Sequence, residues 1–208
     1  MLGKEAFITK IMDIEWNMFQ RVHNAGGRAS CQDDQKTFKI MRYCQAMSWS
    51  EAALESYLDD LIEAQENARN LMTEKYARMM KSTSPFEHYS RIEHKLPPLE
   101  PQTLQLIDDI VKVVLRWEER LAIKFPNISK RGRPIYSSDD TMCVTSFETY
   151  FRGELATYSQ RTLELYYKNV LEQMSENING SELTLFYMVK QYGYNSLQEA
   201  DERHKTIS

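Results

Sequence analysis

The chain has 208 residues, a formal charge of −4 and 27% charged side chains. That length suits one domain able to bury roughly 70% of its unfolded surface, so no cofactor is needed merely to hold it together. An acidic balance without a basic stripe excludes nucleic acid as a partner. No apolar run approaches the roughly 18 residues of a bilayer span, and the opening Met1-Leu2-Gly3-Lys4-Glu5 lacks the layout of a secretory signal, so no membrane is expected.

Cys31, Cys44 and Cys143 are odd in number and show no CxxC spacing. They argue against a disulfide framework or a zinc knuckle, and for a reducing cytoplasm. Seven Gly and six Pro are few for this length, which favours long helices. The expectation is an all-α, single-domain bundle over 1–208, with about six to seven helices and two polar loops.

The first helix runs from about Lys4 to His23 and ends at the turn signal Asn24-Ala25-Gly26-Gly27. Asp33 or Asp34 caps a second helix that reaches Ala46 to Trp49. Ser48 with Glu51 resembles a capping box opening a third, continuous to about Lys81. Ser84-Pro85 and Pro97-Pro98 bound a segment with only a short helical turn. Pro101 begins a fourth helix, which Pro126 stops after Phe125. Asn127 to Cys143 has no period and reads as a long loop. Thr145 with Glu148 starts a helix toward Glu176, and two shorter helices follow Ser181 and Ser196.

Advancing about 100° per residue, Glu15 falls among Ile8, Ile11, Met18, Phe19 and Val22, and Glu118 among Val111, Val114, Leu121 and Phe125. Gln65 and Arg69 interrupt the stripe of the third helix. A buried lone carboxylate must pair, bind a metal or take up a proton, so a Glu15–Arg69 pair is the simplest expectation. Such groups either line a polar ligand pocket between helices or form a structural ion pair that fixes register.

Two loops add donors. In the first, paired glycines, Asn24, Arg28, Gln32 and Asp33 surround a place for an anion; the alternative is a helix C-cap followed by an N-cap. Cys31 beside a helix start and near His23 raises a nucleophile, which the neighbouring aspartates oppose. In the second, Arg131-Gly132-Arg133-Pro134 can grip a phosphate or carboxylate, or be a solvated basic turn. Downstream lie Glu148, Arg152 and Glu154. Gly153 in mid-helix costs roughly 1 kcal/mol against Ala, which points to close approach by a backbone or ligand.

Glu15-Trp16-Asn17-Met18-Phe19 with Asn24 to Asp34, Arg69 to Met80, and Arg131 to Pro134 with Thr145 to Leu155 resemble the bacterial domain-of-unknown-function family 4125. The resemblance implies a cytoplasmic protein, sometimes linked to a nucleotidyltransferase-like domain. It brings no reaction, so no catalytic residue transfers.

Other chemistries fit less well. A ferritin-like di-iron site needs Glu-x-x-His, and none of His23, His88 or His94 follows a glutamate by three. Carboxylates alone could still hold Mg²⁺. Helical nucleotide pyrophosphatases need paired acidic motifs, and Glu63 with Glu66 has no downstream counterpart. The helical ribonuclease toxins need an Arg–His spacing absent here. Two readings remain. One is a domain that binds, or acts on, a small anionic or phosphate-bearing ligand through Arg28, Arg69, Arg131, Arg133 and Arg152, with Glu15, Glu118 or Glu148 as catalytic candidates, no assigned metal and no identified cofactor. The other is an accessory module for another protein, such as a nucleotidyltransferase-like one, through Tyr158, Tyr166, Tyr167, Tyr187, Tyr192 and Tyr194.

Overall fold

The computed structural model describes residues 3–23 and 27–205. Among these the chain forms eleven α-helices and no strand, more helices than the six to seven the sequence suggests. The excess has identifiable causes: two stretches that read as single helices are each broken by local capping, and two short helices start at Pro85 and Pro126.

Helix α1 is Lys4–Gln20 and α2 is Gln35–Met47. Asp34 caps α2 by accepting from the Thr37 amide at 2.9 Å. Helix α3, Glu51–Glu66, is capped by Ser50 and not by Ser48. It stops where Ala68 takes a left-handed φ of 53°. The Arg69 amide then bonds Ala64 O at 2.8 Å and the Ala68 amide bonds Gln65 O at 3.1 Å, the paired closure that terminates helices. Asn70 caps the next helix through the Thr73 amide at 3.0 Å, so α4 is the separate Leu71–Thr83.

The proline-bounded segment holds a short α5, Pro85–Glu87, a π-helical turn at His88–Ile92 and a 3₁₀ turn at Glu93–Lys95. Helix α6, Pro101–Lys124, is followed by the short α7, Pro126–Ser129. Asp201 supplies the missing cap of α7, accepting from the Asn127 and Ile128 amides at 2.8 and 2.9 Å. Helices α8, Phe147–Leu155, and α9, Gln160–Ser175, replace the expected single helix. Ser146 and Ser159 cap them. Helices α10, Gly180–Gln191, and α11, Leu197–Arg203, close the chain.

The main core gathers Ile8, Met18, Leu54, Leu61, Ile110, Val111, Leu155, Leu163 and Val170 from α1, α3, α6, α8 and α9. A second, smaller cluster joins Leu121, Phe125, Val189, Leu197 and Ala200 around the end of α6. Helices α4 and α8 pack unusually closely at Gly153, where an added Cβ would lie 2.8 Å from Met79 Cγ and 3.0 Å from the Lys75 carbonyl oxygen. The glycine therefore serves a backbone approach, and that approach carries Lys75 toward Glu154. Among the described residues no helix is long and apolar enough to cross a membrane.

Candidate functional site

Five helices and the turn after α8 bring charge into the main core. Glu15 of α1, Arg42 of α2, Lys75 of α4 and Glu154 of α8 are at most 8% exposed, and Glu15 is fully buried. Arg42 is the hub. Its Nε donates to Glu15 Oε2 at 2.7 Å and its Nη2 to Glu15 Oε1. Its Nη1 donates at 2.8 Å to both Glu154 Oε1 and Gln45 Oε1. Lys75 Nζ donates to Glu154 Oε2 at 2.6 Å. Tyr57 of α3 and Tyr158, in the turn after α8, add phenolic donors to Glu15 at 2.7 Å and Glu154 at 2.8 Å. Gln45 Nε2 also donates to Glu154 at 3.0 Å.

Two carboxylates meet two cations, so the cluster carries no net charge. Burial alone would push Glu154 up, but Arg42 and Lys75 outweigh it and hold this carboxyl far below its ordinary range. Burial would likewise depress Arg42, and Glu15 and Glu154 reverse that, raising it well above its usual value. Burial, then the adjacent carboxylates, keeps Tyr57 and Tyr158 protonated. Paired and hydrogen-bonded throughout, the charges escape the penalty of an isolated buried ion. The enclosed space beside them, lined by Arg42, Gln45, Trp49 and Tyr57, is about 10 Å³, the room of about one water.

The cluster has a rim. Above Lys75, whose Nζ stands 3.6 Å from the ring centre of Tyr150, the same ring receives the Arg133 guanidinium at 4.6 Å. Arg133 Nη1 bonds Thr145 O at 2.9 Å. Its loop is tied down where Phe147 N bonds Pro134 O at 2.7 Å, and where Asp140 accepts from Ser146 N at 2.6 Å and Thr149 Oγ1 at 2.5 Å. Tyr76 completes the rim. Burial first, then Tyr150 and Cys31, raise its phenol while Arg133 lowers it, so all four groups share one neighbourhood.

The sequence-derived candidates divide. Glu15 and Glu154 join the cluster. Arg69 does not: it is exposed and holds Glu74 through Nε and Nη2 at 2.9 and 2.8 Å, which corrects the expected Glu15–Arg69 pair. The end of α3 turns Arg69 and Gln65 outward, and Arg42 takes the place beside Glu15. Glu118 is half-buried against Ser181, and burial raises its pKa. Glu148 accepts from Ser137 N at 2.9 Å and from Arg152 at 3.1 Å, and Arg152 also reaches Asp108 at 2.5 Å.

In the first loop Arg28 is held by Asp33 at 2.8 Å, by Gln20 and by the Gln32 carbonyl. The buried Gln32 side chain donates to the Phe19 and Val22 carbonyls at 2.8 and 3.0 Å, closing the end of α1. Asn24 lies outside the described residues. Arg131 is exposed, while Tyr158 and Tyr166 are buried, Tyr167, Tyr187 and Tyr194 half-buried and Tyr192 exposed. All three cysteines are free thiols. Among the described residues no three His, Cys, Asp or Glu side chains converge as a metal site.

Arg42 and Lys75 are the functional-looking residues that stripe reading passed over. Lys75 sits four after Leu71, three after Met72 and four before Met79, all buried, so the rule that exposed Glu15 also applies to it once α4 is treated as its own helix. A groove of about 500 Å³ between α6 and α9 is lined by Pro101, Gln102, Gln105, Leu106, Asp109, Gln160 and Glu164. It contains no cation to draw an anion. No curated protein and no solved structure matches the chain. The model of the family described as protein of unknown function, DUF4125, matches residues 5–202, and the chain belongs to that family.

Proposed function

We propose that the protein binds a small anionic ligand at the rim formed by Tyr76, Tyr150 and Arg133, with the Glu15–Arg42–Glu154–Lys75 chain as a rigid floor beneath it. One observation carries this reading: a single tyrosine ring is held against two cations, buried Lys75 at 3.6 Å and exposed Arg133 at 4.6 Å. The cluster itself is a poor ligand contact, because its charges already neutralise one another around a water-sized space. The rim is different. Among the described residues Arg133 has no carboxylate partner, and the Tyr76 and Tyr150 hydroxyls make no hydrogen bond. Donors without acceptors, fixed by a buried scaffold, are what an anion requires. No reaction is assigned, since Glu15 has both oxygens engaged and Glu118 and Glu148 lie with other partners. The free thiols fit a reducing cytoplasm as the setting.

Thermal-shift screening of the whole chain against small anions tests the reading, with Arg133→Gln as the comparison. Stabilisation that vanishes in the variant is the expected result. Stabilisation that persists unchanged in Arg133→Gln would place the ligand elsewhere.

A specific observation favours a second reading, a docking module for another protein. Phe86 and Met142 are 82% and 87% exposed, on segments joined by the Ser82–Asp140 hydrogen bond. Large apolar groups left exposed on two linked segments are candidates for an interaction surface. Sedimentation of Phe86→Ser against the unaltered chain, with a candidate partner, distinguishes it: the docking reading expects the complex to weaken while anion binding is untouched.

A further inference from the structure

Resting on the anion-binding reading above, we infer that the rim selects a singly charged oxyanion, such as a carboxylate or a phosphodiester, over pyrophosphate and nucleoside triphosphates. Few of the cations near the site remain free to meet a ligand. Arg42 is neutralised by Glu15 and Glu154, and Lys75 by Glu154. Arg28 is held by Asp33, and Arg152 by Glu148 and Asp108. Among the described residues Arg131 stacks on neither the Tyr150 nor the Tyr76 ring. Arg133 alone brings an uncompensated positive charge to the Tyr150 ring.

One guanidinium presents a planar fork that matches the two oxygens of a carboxylate or phosphodiester. Tyr76 and Tyr150 offer neutral O–H donors, which complete the hydrogen bonding without adding charge. A second and third negative charge would find no further free cation on the Tyr150 ring. The nearest buried cation, Lys75, already faces a carboxylate at 2.6 Å, so its field at the rim is largely cancelled. Polyphosphate sites instead assemble several cations or a metal ion around the phosphates.

Behind the rim the Tyr76 ring is packed into the aromatic core. The Tyr76 ring stacks with Phe19 at 6.1 Å, and Phe19 with Phe38 at 5.3 Å. Trp16 packs against Phe38 at 5.2 Å.

The test is an NMR titration of the full chain at matched ionic strength and without Mg²⁺, following the Arg133 Nε–H and the Tyr76 and Tyr150 ring signals. The probes are benzoate, dimethyl phosphate, pyrophosphate and ATP. Benzoate or dimethyl phosphate is expected to bind saturably and more tightly than pyrophosphate or ATP; whichever of the two binds better identifies carboxylate or phosphodiester as the preferred head group. Arg133→Gln should weaken that binding about tenfold, the value of a charge-assisted contact. Tyr76→Phe, which removes one hydroxyl and keeps the ring, should weaken it about threefold. Arg69→Gln, placed beside Glu74 and away from the rim, should leave it unchanged. Pyrophosphate or ATP binding as tightly as the better monoanion or more tightly, with the same dependence on Arg133, would overturn the selectivity and leave the anion site standing. Silence from all four probes would overturn the anion site itself.

Discussion

The charged cluster around Arg42 and the apolar cluster at the end of α6 are two ways of closing the same bundle. In the first, Glu15, Arg42, Lys75 and Glu154 are buried together and depend on one another. In the second, Leu121, Phe125, Val189, Leu197 and Ala200 pack with no charge among them. Apolar contacts are divisible: each side chain contributes according to the area it hides. A buried ion network is not, because removing one member leaves an uncompensated charge in low dielectric. The charged region should therefore be brittle and specific, the apolar one tolerant.

Arg42→Met tests this most severely. Two carboxylates would lose their shared cation, and urea unfolding should show a loss of about 3 to 5 kcal/mol. Adding Glu15→Gln to Arg42→Met, which leaves Glu154 paired with Lys75, should recover part of that loss; an additive, still larger loss would show that the network does not act as a unit. Leu197→Ala in the other cluster should cost about 2 to 3 kcal/mol, the lower end for a buried leucine near the periphery. If Leu197→Ala proved the costlier of the two, the contrast would fail.

Acid titration sharpens the comparison. The folded carboxyl of Glu154 is held below its ordinary value, so its contribution is present above the unfolded value and is lost as pH falls through the folded one. The stability gap between the unaltered chain and Glu154→Gln should accordingly narrow as the pH is lowered below about 4, the unfolded range for a glutamate. Glu118 has the opposite sign. Burial raises its pKa, so a penalty sets in as pH rises from the unfolded value to the folded one. Glu118→Gln should thus gain a little stability at neutral pH and nothing in acid, the smallest of these effects. These two glutamates differ because Glu154 has cations beside it and Glu118 has Ser181.

The stripe rule located Glu15 in the core, and the composition pointed to an all-α chain. Both follow from local physics, since periodicity is a property of one helix and helix propensity of each residue. The helix breaks were harder to see. Ala68, with φ 53°, ends α3 without a glycine or proline to announce it. Capping by Asn70 then starts α4 on a new phase, so Arg69 leaves the core and Lys75 enters it. Tyr57 and Gln45 carry no local sign of their role, and Tyr158, expected at a partner interface, is turned inward; the bundle aims all three at the carboxylates.

The amino-acid sequence by itself determined that a carboxylate would sit on a buried face of α1 and that Gly153 would permit close approach. Which cation meets that carboxylate was decided only by tertiary structure. Arg42 is 27 residues from Glu15 and 112 from Glu154 along the chain, and no local pattern links them. Burial forces a charge to find a partner, but the identity of the partner depends on which helices touch. The same holds for the rim, where Arg133 reaches Tyr150 only because Asp140 and Pro134 fold their loop against the start of α8.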